Sequence, residues 1–244
     1  PKFKDKIIYI PIETPPPGLF ILDPKDDHKT KNNKLIKNAY AREIYQIQKV
    51  QDGLVKSDRN DIVIISDLDE IPNLEKVNFN KINNRLIFFI QKMYYYKLNL
   101  LYKSMPWFGS KACKIKNLIS PQWLRTIKNK KYSSWRLDTY FSKKKYTNID
   151  FIKDGGWHFT NIMSPEKLEY KFRSYLHHGE IPRDITNKNF LKKMIEEREI
   201  NYDHSADKRS ERYTKKKLSF FNKELLPEYI KNNFVKFENW FYKN

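Results

Sequence analysis

The chain has 244 residues, with 48 Lys+Arg against 29 Asp+Glu for a formal net charge of +19, and is 39 % apolar with 16 Tyr, 16 Phe and 5 Trp. That length and apolar share suffice for a full α/β core, while no stretch approaches the roughly 20 apolar residues of a membrane span. The single cysteine, Cys113, excludes an internal disulfide framework and a cysteine zinc site, and reads as a small buried hydrophobe.

The positive field attracts anions in general, among them nucleic acid, anionic glycan, lipid and nucleotide-sugars. No zinc knuckle, arginine-rich helix or aromatic-basic sheet signature marks a nucleic-acid module, so no specific nucleic-acid partner is expected. No signal peptide is recognisable. The chain opens on Pro1 and reads as a fragment, any anchor lying upstream.

Ile7 to Ile12 (IIYIPI) predicts a strand, followed by a proline-rich loop over 13–18. Residues 34–55 predict a helix, because Ile36, Tyr40, Ile44, Ile47, Val50 and Leu54 recur at three- and four-residue steps, with Gly53 near the end. The next segment, Asp61 to Pro72 (DIVIISDLDEIP), predicts a strand over 62–66 that runs into three carboxylates, Asp67, Asp69 and Glu70, before Pro72 stops it. Open α/β folds bind ligands at such carboxyl ends of strands. Three carboxylates this close repel unless a cation or proton intervenes. With no Cys or His beside them in sequence, the oxygen set suits Mg2+ or Mn2+ bridging a phosphate or diphosphate. The plain alternative is that they are turn residues and helix caps.

Leu86 to Ile90 (LIFFI), continuing to Tyr96, predicts a second strand. Strand, helix and strand in alternation predict a βαβ sheet that is at least partly parallel. Signals over 97–155 are irregular, with Trp107, Trp123 and Trp135 set among lysines. Phe151-Ile152 and then Asp154 to Phe159 (DGGWHF) predict a short strand with a glycine bend. Gly155 and Gly156 allow close backbone approach to a ligand or a positive φ. Trp157 and Phe159 flank His158, giving it a semi-dry setting. A lone histidine is commonly structural, but beside glycines and an acid it is a candidate metal ligand or phosphate contact. Ser164-Pro165-Glu166 predicts a helix start, with that helix running to about Leu176 and a second over Asn187–Glu199. The chain from Ser210 is expected to be mostly helical. No repeat or linker interrupts what reads as one domain.

Together these residues resemble glycosyltransferase family 17, the β-1,4-mannosyl-glycoprotein 4-β-N-acetylglucosaminyltransferase group. The matching blocks are KIIYI from Lys6; Arg42-Glu43 with Gln46 and Gly53-Leu54; ISDLDEIP from Ile65 to Pro72; Gly109-Ser110-Lys111; Ser120-Pro121-Gln122 with Leu124-Arg125; Gly155 to Phe159; and, after it, Ser164-Pro165-Glu166 and Ile181-Pro182-Arg183. They fall in order across about residues 6–200. SDxDEIP and GGWHF carry most of the specificity. Family members usually have a further strand–helix–strand ahead of the first block, which helps to hold uracil and ribose, and often have Arg where this chain has Ile47.

The resemblance implies a GT-A-like (Rossmann-like) α/β fold with a mixed, mostly parallel sheet flanked by helices. It divides into a nucleotide-sugar and metal core over about 1–160 and a helical part over about 161–244. The implied activity is a metal-dependent inverting transfer from a UDP-sugar, foremost UDP-GlcNAc, to a glycan or glycoprotein acceptor. Mn2+ or Mg2+ would be held by Asp69, by Asp67 directly or through water, and by His158, neutralising charge on the departing diphosphate. Lys111, Arg125 and Arg183, with Gly155, Gly156 and Trp157, are the candidate donor contacts. Inversion needs a carboxylate base near the acceptor hydroxyl, for which Asp154 comes first and Glu70 second, Glu70 serving otherwise to orient its neighbours. The compartment would be the Golgi lumen in an anchored eukaryotic member and the cytoplasm otherwise.

Two rivals stand beside this reading. A haloacid-dehalogenase-type phosphatase would use Asp67 as nucleophile, but Ile71 stands where that family has Thr. A basic nucleic-acid-binding domain would make the carboxylates structural and bind with steep salt dependence.

Overall fold

The computed structural model describes residues 3–81, 86–174, 186–200 and 216–243. The chain falls into two units, each assembled from separate stretches: residues 1–65 with 112–148, and residues 66–111 with 149–244.

In the first unit, helix α1 spans His28–Lys49 and runs into a 3-10 turn over Val50–Leu54. It starts earlier than the apolar spacing predicts because a cap sets the start: the Asp27 carboxylate accepts the Thr30 amide at 2.6 Å. Strand β1, Ile62–Ile65, buries Val63 and Ile65. Its sheet neighbour is a later strand, β4, Leu100–Lys114. Bonds from Ile115 N to Asp61 O and from Lys116 N to Arg59 O, each 2.9 Å, continue that pairing in the antiparallel sense. Helix α2, Pro121–Thr126, is capped by Ser120, whose hydroxyl accepts the Trp123 amide at 3.0 Å.

The strand expected over Ile7–Ile12 does not form. That segment is largely exposed and pairs with no neighbouring strand among the described residues. Pro11 removes a donor within it. Further on, the buried Asn38 of α1 holds the chain at Phe20, accepting its amide at 2.7 Å and donating to its carbonyl at 2.8 Å.

The second unit is built on β3, Leu86–Tyr95. Residues 96–99 turn it into β4, and so short a connection permits only antiparallel pairing. On its other edge β3 pairs in parallel with β5, Ile149–Ile152, and then with β6, Gly156–Thr160, which lie end to end like one strand broken at 153–155. Strand β2, Glu70–Pro72, adds antiparallel to β6. Near the C-terminus, β7 (Glu199–Ile200) pairs antiparallel with β8 (Lys216–Lys217), and β9 (Ser219–Phe220) with β4.

The α/β class therefore stands, but the expected mostly parallel sheet is corrected. The sheet is mixed and mainly antiparallel, its parallel pairing confined among the described residues to β3 with β5 and β6. The reason is that α1 precedes β1 without serving as a crossover between β1 and β3; β4 is what β1 meets.

Side chains alternate across this sheet. On one face Met93, Tyr95, Leu100 and Tyr102 pack with Leu168 and Phe172 of α3 (Pro165–Ser174) and Leu191 and Met194 of α4 (Lys188–Glu197). On the other, Tyr94, Leu98 and Leu101 meet Leu226, Phe241 and Ile230 of α5 (Glu228–Asn232), which is followed by α6 (Phe234–Phe237). The predicted helix starts hold: Ser164 Oγ accepts from the Lys167 amide at 3.4 Å, and Asn187 from the Phe190 amide at 2.9 Å. Leu176 and Ser210, used as boundaries above, lie outside the described residues. From 216 the chain first forms short strands and only then short helices, rather than running mostly helical. No helix among the described residues is long and apolar enough to cross a membrane.

Candidate functional site

The two motifs singled out in the sequence meet as a β ladder. Glu70 stands opposite His158, Ile71 opposite Trp157, and Pro72 opposite Gly156. Past β1 the chain turns at once, the Glu70 amide donating to Asp67 O at 3.1 Å, and Asp69 O then accepts the Phe159 amide at 2.8 Å. That pairing brings the Asp69 carboxylate to 3.5 Å from His158 Nε2. Residues 84 to 90 positions apart in sequence are thus held by strand pairing, not by side chains alone.

Glu70 is buried beneath the turn. One of its oxygens accepts the Trp107 indole N–H at 2.9 Å and the other the Asp67 amide at 3.1 Å. The Trp107 ring also stacks on His158, centroids 4.3 Å apart and 14° from parallel. Gly109 makes room for this arrangement: a Cβ there would lie 2.2 Å from Gln91 Oε1 and 2.6 Å from Glu70 Cδ. Next to it, Ser110 Oγ accepts from Ser66 Oγ at 2.6 Å and from Gln91 Nε2 at 3.0 Å.

Charge at the site is shared with a lysine from α3. Burial works to raise the Asp69 carboxyl, but the His158 hydrogen bond and charge, with the charge of Lys171 beyond, outweigh it and leave the group below its ordinary value. Burial presses the Lys171 ammonium below its usual value, Asp69 opposing. Lys171 Nζ donates to Asn161 Oδ1 at 2.8 Å, and Asn161 is buried with a left-handed φ of 57°. His158 Nδ1 is buried with no hydrogen-bond partner among the described residues.

The turn and the ladder therefore bring the Asp69 carboxylate to His158, with Glu70 buried beneath and Asp67 joined to Glu70 through its backbone. Asp67 is exposed on the turn, and among the described residues no three His, Cys, Asp or Glu side chains are grouped so as to hold an ion by themselves. What is present, one ionised carboxylate beside an imidazole nitrogen, supplies at most two protein donors, so water and phosphate oxygens would complete a cation's shell; the carboxylate suits Mg2+ or Mn2+, the imidazole a softer divalent ion. It does not form a closed cage.

Asp154 is not brought to the cluster. It sits with φ 49° in the turn before β6, four residues ahead of His158, exposed and ion-paired with Lys92. The Lys92 hydrogen bond and charge hold its carboxyl below the ordinary value, making it a weaker base. Glu70 has both oxygens engaged, which fits an orienting role and not that of a base. Lys111 is buried, its ammonium 4.6 Å from the centre of the Phe88 ring, and is not open to a diphosphate. Arg125 lies on α2 in the first unit. Arg183 lies outside the described residues.

The glycines admit close backbone neighbours within the sheet. A Cβ on Gly155 would stand 2.6 Å from Ile152 O, and one on Gly156, whose φ is 134°, 2.1 Å from Ile71 O. Trp157 turns to the face opposite His158 and donates to Leu225 O at 2.8 Å. The aromatic that covers His158 is thus Trp107, which sequence proximity could not nominate. Lys171 and Gln91 were also missed; one was hidden in a lysine-rich helix, the other inside an apolar run.

A groove of about 790 Å³ lies in the first unit between residues 8–16 and α1, lined by Arg42, Tyr45 and Gln46 among others. No protein-family description, curated protein or solved structure matches this chain.

Proposed function

We propose that the chain is a metal-dependent inverting glycosyltransferase, similar to family 17 and GT-A-like in its donor-binding core, that moves a sugar from a UDP-sugar, foremost UDP-GlcNAc, to a glycan or glycoprotein acceptor. The observation that carries the reading is the β2–β6 ladder, which joins the SDxDEIP and GGWHF segments so that Asp69 lies 3.5 Å from His158. Mn2+ or Mg2+ bound by Asp69 and His158, with Asp67 directly or through water, would supply positive charge where the diphosphate departs.

The chain's own residues do the rest. Asp69, its carboxyl held below the ordinary value, is ionised at neutral pH and ready to bind a cation. Lys171, fixed by Asn161, adds a positive charge beside it that favours an anionic leaving group. Glu70 sets the geometry of the Asp67–Glu70 turn, and Trp107 fixes the imidazole plane while excluding water from one face.

The test is turnover of UDP-GlcNAc, as hydrolysis or as transfer, with and without Mn2+. Expected is metal-stimulated turnover that falls about a hundredfold or more in Asp69→Ala with unchanged circular dichroism. Turnover indifferent to a chelator, or retained in Asp69→Ala, contradicts the reading.

A further inference from the structure

The loop from Lys128 to Tyr146 in the first unit is closed at its base. Lys128 N donates to Lys144 O at 2.9 Å and Tyr132 N to Tyr146 O at 3.2 Å. The Trp123 indole donates to Lys143 O at 3.0 Å and to the Tyr146 hydroxyl at 3.1 Å. Inside the loop, Thr139 Oγ1 donates to Arg136 O at 2.6 Å, and the buried Tyr132 ring carries Lys130, Lys145 and Arg136 over it. These bonds give the loop a defined form.

Its far end nevertheless turns large apolar side chains to solvent. Trp135, Leu137, Tyr140 and Phe141 are between 73 and 91 % exposed. Single exposed hydrophobes are ordinary, but four within seven positions mark an interaction surface. Flanking them are Lys128, Lys130, Lys131, Arg136, Lys143, Lys144 and Lys145, seven cations against one acid, Asp138. Asp138 is itself paired with Arg136 at 2.8 Å and with Lys145 at 2.6 Å. The two lysine clusters sit at the ends of the segment, which the base bonds draw together, and the apolar residues lie between them.

An apolar tip behind a cationic collar matches the depth profile of an anionic bilayer. Trp and Tyr favour the headgroup boundary, Leu and Phe reach the acyl chains, and lysines meet lipid phosphates. A nucleic acid fits less well: Leu137 offers neither a stacking plane nor a hydrogen-bonding edge, and lysine, a point charge, outnumbers arginine.

We propose that this loop docks the chain peripherally on an anionic lipid surface, inserting Trp135, Leu137, Tyr140 and Phe141 at the headgroup boundary while its lysines contact lipid phosphates. The proposal is independent of the Asp69–His158 site.

The test is co-sedimentation of the whole chain with phosphatidylcholine vesicles, with and without phosphatidylserine. The wild type is compared with Trp135→Ala/Phe141→Ala and with Lys143→Glu/Lys144→Glu. Expected is binding that needs phosphatidylserine, weakens with salt, and falls about tenfold or more in each variant. Leu137→Ser alone lowers it in the same direction, so the result does not rest on one pair of substitutions. Three outcomes overturn the proposal: no vesicle binding; binding lost on charge reversal but untouched by loss of the aromatics, which is general adsorption of a basic chain; or dependence on those aromatics for a single-stranded oligonucleotide and not for vesicles.

Discussion

The ladder that joins the two motifs is most sharply tested by Gly156→Ala. Gly156 has a φ of 134°, a region that residues with a side chain rarely enter, and a Cβ there would lie 2.1 Å from Ile71 O, 2.9 Å from Asn73 N and 2.9 Å from Pro72 Cα. All three are backbone atoms of β2 or the residue after it, so no rotamer change relieves the overlap. The backbone strain is worth about 1–3 kcal/mol and the overpacking about 1–3 kcal/mol more, so the substitution is expected to destabilise by about 2–6 kcal/mol. Gly18→Ala is the matched control: its φ is 75° but nothing lies within 4 Å, which leaves only the left-handed strain of about 1–2 kcal/mol. Urea unfolding followed by circular dichroism measures both. Because β2 cannot part from β6 without carrying Asp69 away from His158, the His158 ring resonances should also shift in Gly156→Ala. A cost no greater than that of Gly18→Ala, with those resonances unmoved, would refute the close approach of the two strands.

Trp107→Phe keeps a ring over His158 but removes the N–H that Glu70 accepts at 2.9 Å; a loss of about 1–3 kcal/mol is expected in urea unfolding, and a cycle with Glu70→Gln should show the two substitutions coupled. Asn38→Ala removes both bonds to Phe20 and is expected to cost about 1–3 kcal/mol, read as faster hydrogen exchange at the Phe20 amide; unchanged exchange would contradict that tether. The Asp69 carboxyl lies lower folded than its ordinary 3.8. Its contribution is therefore complete above pH 3.8 and is lost as pH falls through the folded value, so the stability gap between wild type and Asp69→Asn should shrink there in urea titrations at stepped pH. A gap constant across that range would mean that Asp69 has no favourable charged partner.

The acidic turn was legible because an unbroken apolar strand leads into it, and the glycine bend because a histidine and two glycines stand together. Nothing in the period of either segment says that Glu70 faces His158. β4 escaped because Lys103, Pro106, Gly109 and Lys111 interrupt its apolar pattern; its middle is exposed, and Lys111 is buried against an aromatic ring. The parallel sheet was misjudged because a helix between two strands looks like a crossover whether or not those strands are neighbours. Ile7–Ile12 has the apolar, β-branched composition of a strand, but Pro11 removes a donor and a strand also requires a partner. Gly155 and Gly156 were correctly marked as sites of close approach, but what approaches them is backbone from β2, β3 and β5.

The most direct test of the proposed donor site is the thermal transition of the whole chain with UDP-GlcNAc and Mn2+, singly and together, in the wild type, Asp69→Ala and His158→Ala. Expected is a rise that requires sugar nucleotide and metal jointly in the wild type and disappears in both variants. No rise in the wild type, or the same rise in all three proteins, would contradict a nucleotide-sugar site at Asp69 and His158.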